Sequence, residues 1–413
     1  MSFTARYEIC RTLRTTLGIT SVILTGLLVT TGTPASAKQF KKLLQVGQVI
    51  PGNNQPLEEI IEPTIGFDQQ VAVLLKTKAI QTDPGSPGSN PSTSEFKGIY
   101  AIRRDGTVQL MQGGSSTTGL NGANRQEFSA PSMSQGKIAY VATTQSRSNT
   151  GLLGDRVTTV RVGTPGQVGT FLSANLAAIP ARSGIANLAF VNGKAYFLDV
   201  NAPGDGGSLG VIDTLAPTPT LVPLRSTQNT TAVRASSQRL VITEILRSVR
   251  FPVVQLFSSN GDSNFTDVSP PVTLAGNCGF SVSLNNTAVC FEGNVRSFIF
   301  LRLDQGNANN FIPIIQNSPS LPPVKVSGVS ISNRSTLFLA KQVFLNSSNP
   351  MDKIYLSESG QTPTEVISGG DVLDGKIVAG LELSRNGRTI AGRSFVFTVT
   401  FTDATKTLYR VDL

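Results

Sequence analysis

A hairpin-like unit recurs seven times along this 413-residue chain, and it constrains the fold more than any other feature. Each copy opens with a short strand-like run, turns at a polar or glycine-containing pair, and continues in an apolar, β-rich run. The copies are IGFDQQVAVLL (65–75), SMSQGKIAYVA (132–142), AFVNGKAYFLD (189–199) and RASSQRLVITEI (234–245), then SVSLNNTAVCFE (281–292), SISNRSTLFLA (330–340) and LELSRNGRTIAGRSFVFTV (381–399). Asn-Gly, Gln-Gly and Asn-Asn at the turns suit tight hairpins, whose central residues sit at positive φ. A third strand follows every hairpin, at 98–106, 158–163, 209–213, 252–261, 298–304, 353–359 and 407–413. A fourth follows six of them, at 108–114, 169–174, 220–224, 272–276, 312–316 and 364–370.

The seventh unit reaches Leu413 on its third strand. Its missing fourth strand is expected near the other end of the sequence. LLQVGQVIPG (43–52) aligns without gaps with VISGGDVLDG (366–375). Gly47 matches Gly370, Val49 matches Val372 and Gly52 matches Gly375. Leu43, Leu44 and Ile50 match Val366, Ile367 and Leu373. The N-terminal copy thus has the character of a fourth strand displaced to the front. Four-stranded units at a period of roughly 54 residues are the signature of a β-propeller. The expected fold is all-β: one propeller domain over 38–413, of seven four-stranded blades, with 38–52 as the strand that closes the last blade. Closure removes an exposed edge. TDPGSPGSNPSTSEF (82–96) reads as a mobile loop between second and third strands. RSNTGLLGDR (147–156) and NAPGDGGS (201–208) occupy the same slot, which makes that face of the disc the expected contact surface.

Composition agrees with an all-β class: 15% charged residues, 39 glycines, and no long runs of helix formers beyond residue 40. The net charge of +9 is spread thinly, with Lys41-Lys42 and Arg103-Arg104 the only adjacent basic pairs. Residues 1–37 carry a basic start (Arg6, Arg11, Arg14), an apolar stretch at 17–32 and the small-residue run Ala35-Ser36-Ala37 before Lys38. This is the pattern of a secretory signal peptide cleaved between Ala37 and Lys38, and it implies a secreted, periplasmic or cell-surface bacterial protein. Cys278 and Cys290 remain after cleavage. They flank a hairpin turning near Leu284, and the oxidising compartment favours a disulfide between them.

The third strand Gly98-Ile99-Tyr100, with Lys353-Ile354-Tyr355 its relative, and the Gly-Gly or Gly-Asp, apolar, x, Gly element resemble a group of uncharacterised secreted bacterial propeller-like repeat proteins. Some of those carry a surface sorting tail, which is absent here. The resemblance implies fold and export and carries no catalytic residues. Kelch and WD signatures are absent: there is no Trp and no His.

The lack of histidine removes His-dependent nucleophiles, imidazole acid–base chemistry and imidazole metal sites. No phosphate-cradling motif and no basic–aromatic interleaving occurs, so neither a nucleotide cofactor nor a nucleic-acid partner is expected. Asp105, Asp304 and Asp403 stand at strand ends, where turn chemistry explains them. Tyr100, Tyr140, Tyr196, Tyr355 and Tyr409 lie inside β-like runs and read as packing residues. Asn260, Asp262 and Asn264 alternate like the start of a calcium loop, but Pro271 stands where the bidentate Glu belongs, so a turn is expected. No catalytic residue is assigned, and no cofactor or metal is expected. The functional expectation is a non-catalytic, monomeric extracellular binding or surface-associated protein, its partner an extracellular protein or glycan. The alternative is a polysaccharide-active glycosidase or lyase using carboxylates or Tyr and Arg in the central funnel.

Overall fold

The computed structural model describes residues 38–413, apart from 79, 83–91, 119–124, 148–152, 167–171, 176–183, 201–206, 219–220, 237–238, 247–252, 270–275, 284–285, 293–296, 304–310, 316–323, 343–350, 360 and 386. The signal-peptide reading of 1–37 therefore lies outside the described residues, as do Asp304 and the tips of the three insertions.

Among the described residues every regular element is a β-strand, and the strands form six antiparallel sheets in a propeller-like arrangement. Four of the expected units appear as separate sheets of consecutive strands. The first holds Leu57–Ile65, Val71–Thr77, Ser92–Ile102 and Val108–Thr118. The fifth and sixth run Gly276–Ser283 to Phe311–Ile315 and Val324–Ser332 to Thr364–Ser368.

The second unit is irregular at its start. Arg125–Phe128 and Ser132–Ser134 both pair with Lys137–Arg147 but are separated from each other. Pro131 has no N–H to give the ladder. Across the gap the Val141 N–H donates to Ser129 Oγ at 3.0 Å instead.

Two units share one seven-stranded sheet. Leu221–Ala235 pairs through its first half with Gly207–Asp213 and through its second half with Leu240–Leu246. The sequence expects a separate fourth strand at 220–224 and a new hairpin from 234. Residues 226–233 contain neither Gly nor Pro, so nothing breaks the chain between the two pairings. Among the described residues the same sheet ends on Thr266–Asp267; of the fourth strand expected at 272–276, residues 272–275 lie outside the described residues, and Gly276 opens the first strand of the next unit.

The displaced strand is where the sequence puts it. Gln39–Gln45 pairs antiparallel with Lys406–Asp412, in the sheet that also holds Lys376–Glu382 and Ser394–Phe401. The paired strand is shorter than the expected 38–52: it stops at Gln45, and Val46–Pro56 turns the chain into the first unit. The 82–96 loop is also shorter than expected. Ser92–Glu95 continues the third strand of the first unit, with Thr82 opposite Ser92.

Among the described residues the core is a chain of seven apolar clusters, each shared between neighbouring units. Strand pleating divides every inner strand between two of them. Val71, Val73 and Leu75 point into one cluster, and Ala72 and Leu74 into the next. One cluster joins Leu43 and Leu44 to the first unit and to Val396 and Leu408 of the last, so the apolar contacts return to their starting point.

Hydroxyls bridge the innermost strands where no sheet ladder connects them. Ser132 Oγ accepts the Phe190 N–H at 3.0 Å and Ser281 Oγ the Ile331 N–H at 3.1 Å. Ser330 Oγ accepts the Thr389 N–H at 3.0 Å and Thr64 Oγ1 the Arg388 N–H at 3.1 Å. Each joins one unit to its neighbour and satisfies an otherwise orphaned buried amide.

Candidate functional site

The turns that join first to second strands gather around one opening. A cavity of about 520 Å³ lies there. Gly66, Phe67 and Asp68 of the first unit form one wall, and Ser134, Gln135 and Gly136 of the second the next. Val191 and Asn192, then Ser236, Ser283 and Arg388, continue from later units. Tight turn geometry brings these residues inward: φ is 50° at Gln135 and Asn192 and above 70° at Gly136 and Gly193. The Gln135 Nε2 donates to Asn192 Oδ1 at 3.1 Å, tying two turns together across the rim.

A second, smaller cavity of about 40 Å³ lies among the innermost strands. Thr64, Ser132, Phe190, Arg234, Ser281 and Arg388 line it, and they come from six different units. This convergence marks the central channel, and Arg388 belongs to both cavities.

Two arginines stand in this channel in different states. Arg234 is fully engaged. Its guanidinium donates to Asn187 Oδ1 at 2.5 Å, Val233 O at 2.8 Å and Arg385 O at 2.6 Å, and it lies over the Phe280 ring at 5.4 Å. Burial pushes its pKa down to about 10, and the charge of Glu62 opposes that shift. Glu62 also accepts from Ser384 Oγ. Arg388 has its backbone locked to Thr64 and Ile65, but among the described residues its guanidinium meets only the Phe67 ring, 5.0 Å away. Burial lowers its pKa, with no carboxylate opposing the shift.

Asp68 is the one acid lining the larger cavity among the described residues, and both its oxygens are occupied by Gln70. No cluster of three or more metal-ligating side chains occurs among the described residues.

The tyrosines fall where the sequence puts them, in packing roles. Tyr100, Tyr140, Tyr196 and Tyr409 are buried, and Tyr355 is half-buried against Phe338. Burial pushes the Tyr100 phenol up to about 12 and raises those of Tyr140 and Tyr409, so none is poised as a base. Asp105 and Asp403 make the expected turns, accepting the N–H groups of Thr107 and Thr405 at 2.8 and 2.9 Å. Residues 260–264 also form a turn, with Asp262 Oδ1 accepting the Asn264 N–H at 3.0 Å.

Cys290 is buried in Asn286–Glu292, opposite Gly279. Cys278 is the extra residue of a bulge between Asn277 and Gly279, so it lies one step off the direct opposition that the hairpin spacing suggests. Its side chain lies outside the described residues, as does the turn at Leu284-Asn285.

The cavity opens at the other end of the strands from the three long insertions. Sequence reasoning singled out the insertions and missed Phe67, Gln135, Asn192 and Arg388. The turn dipeptides were visible, but their convergence on one rim is a property of the ring.

No protein-family model matches the chain, and no curated protein matches it. Solved structures do. The β-propeller domain of the trilobed protease from Pyrococcus furiosus, which has an open velcro topology, superposes with a TM-score of 0.54 at 9% identity, over 87% of this chain and 95% of that one. The uncomplexed acylaminoacyl peptidase of Pyrococcus horikoshii gives 0.52 at 12% identity, over 86% of this chain and 51% of the peptidase. Prolyl oligopeptidase B from Galerina marginata gives 0.51 at 10% identity, over 86% and 48%. The chain thus spans about half the length of these two peptidases. At such identities the likeness establishes the propeller fold.

Proposed function

We propose that the chain is an exported, seven-bladed propeller that binds a ligand non-catalytically at its turn-face cavity. The observation that carries this reading is the cavity of about 520 Å³ framed by turns from several units. Its lining is rich in amides and hydroxyls and, among the described residues, includes a single carboxylate, Asp68, whose oxygens are already engaged. A glycosidase needs two carboxyl groups flanking a bond. The seven apolar clusters and the shared strand Leu221–Ala235 support seven blades, two of them fused edge to edge. Export rests on the signal-like pattern before Lys38, and the protein is a monomer in this reading.

The test is an array of glycans and peptides probed with the purified protein, beside a hydrolysis and lyase assay on the same glycans. Binding without turnover is the expected result, and it should be lost when Asp68→Trp fills the rim. Turnover of any glycan would overturn the non-catalytic reading.

Export also implies a Cys278–Cys290 disulfide across the bulge. The intact protein should then be about 2 Da lighter than its reduced form. Equal masses, with both thiols open to alkylation after unfolding, would remove the bridge.

A further inference from the structure

Arg388 is held on a rigid frame and left, among the described residues, with an unpaired charge. Its N–H donates to Thr64 Oγ1 at 3.1 Å, and its carbonyl accepts the Ile65 N–H at 2.8 Å. The side chain lines both cavities, yet its guanidinium has no hydrogen-bond or ion-pair partner among the described residues. Asp68, on the same wall, is turned to Gln70, with bonds of 3.3 Å to its N–H and 2.8 Å to its Nε2. Both arginines of the strand Leu221–Ala235 differ from Arg388. Arg225 grips Glu244 with two bonds of 2.6 and 2.9 Å, and Arg234 donates to Asn187 and to the carbonyls of Val233 and Arg385. An unpaired guanidinium surrounded by protein costs stability, and a ligand anion offsets that cost. The planar fork suits a carboxylate, which it grips through two parallel bonds.

The rest of the lining describes the rest of the ligand. Gln135 and Asn192 bring amides, and Ser134 and Ser236 bring hydroxyls. These groups match a hydroxyl-rich molecule and carry no further positive charge. The Phe67 ring is 58% exposed beneath Arg388 and offers an apolar face to the C–H side of a sugar ring. The cavity volume lies within the range of small-molecule sites and admits one or two sugar rings.

The geometry points to a binding site for a carboxylate-bearing sugar, a uronate, with Arg388 recognising the carboxylate, Phe67 the ring and the turn amides the hydroxyls. This rests on the binding reading above and names its ligand class.

The experiment is calorimetric titration of the purified protein with glucuronate, glucose, acetate and inorganic phosphate, each at low and high salt. Glucuronate should bind at least tenfold more tightly than any of the other three, and more weakly at high salt. Arg388→Gln should lower glucuronate affinity at least tenfold without lowering the melting temperature, because it removes an uncompensated charge. Arg388→Lys should fall between, keeping the charge and losing the fork. Glucose matching glucuronate would overturn the inference. So would acetate or phosphate matching it, since the site would then hold any small anion, and so would wild-type affinity in Arg388→Gln. If glucuronate fails while the array yields another ligand that Asp68→Trp abolishes, the uronate inference falls and the binding reading stands. If the array yields no ligand at all, both fall.

Discussion

Gly47 and Gly370 adopt φ of 92° and 91°, and Gly52 and Gly375 adopt 81° and 75°. The pairs were matched from sequence alone, and the match extends to their neighbours. Gln48 Oε1 accepts the Gln45 N–H at 3.1 Å, and Asp371 Oδ2 accepts the Ser368 N–H at 2.8 Å at the corresponding position. Val49 and Val372 are both left exposed, at 62% and 69%. A side chain at Gly47 would meet no atom within 4 Å, so Gly47→Ala should cost only the left-handed backbone penalty, about 1–2 kcal/mol. Urea denaturation would read this as a lower midpoint with an unchanged slope, and Gly375→Ala, also in open space, should match it. A neutral Gly47→Ala would contradict the turn. Asp403 offers a pH test. Hydrogen bonds from Lys376, then from Thr405, hold its pKa down to about 2 against an ordinary 3.8. A depressed carboxyl contributes stability above its unfolded value and loses it as pH falls through the folded one. Asp403→Asn should therefore lower the melting temperature at neutral pH, with the difference from wild type closing between about pH 4 and pH 2. A constant difference across that window would exclude the ion pair as the cause.

At the scale of elements, the hairpins were legible because alternation and turn residues are local signals. Their joins were less so. The strand Leu221–Ala235 serves two pairings, and only its partners show where one ends and the other begins. The Arg225–Glu244 pair crosses that junction: Arg225 stands in the first half of the strand, and Glu244, 3% exposed, in the next strand of the sheet. Thr230 Oγ1 adds a bond to Glu244 at 3.2 Å. Glu244→Gln should cost about 2–3 kcal/mol, because it leaves a partly buried guanidinium uncompensated. Arg225→Met with Glu244→Gln should recover part of that loss, and a double-mutant cycle measures the coupling. Zero coupling would mean that the strand register rests on the backbone alone.

The whole molecule depends on joining its two ends. Gln39–Gln45 completes the sheet of Lys406–Asp412, and Leu44 is wholly buried between the first and last units. Arg410 of the last unit reaches back to the carbonyls of Gln69 and Arg104 in the first, at 3.3 and 3.1 Å. Deleting residues 38–45 should expose the edge of Lys406–Asp412 and remove two buried leucines, each contributing about 1.5–3 kcal/mol. The truncated protein should melt at least about 10 °C lower and aggregate on heating. An unchanged melting temperature would contradict closure. By itself the sequence determined the β class, the repeat and the displaced closing strand, because strand alternation, turn residues and repeat spacing are written in neighbouring positions. It also determined which chemistries lack their residues, since a missing histidine is missing in every fold. Only the tertiary structure decided which residues face the channel. Phe67, Asn192 and Arg388 are far apart in the chain and meet because the fold brings turns from six of the units to one opening. The same geometry separates Arg234, whose guanidinium found acceptors, from Arg388, whose guanidinium found none among the described residues.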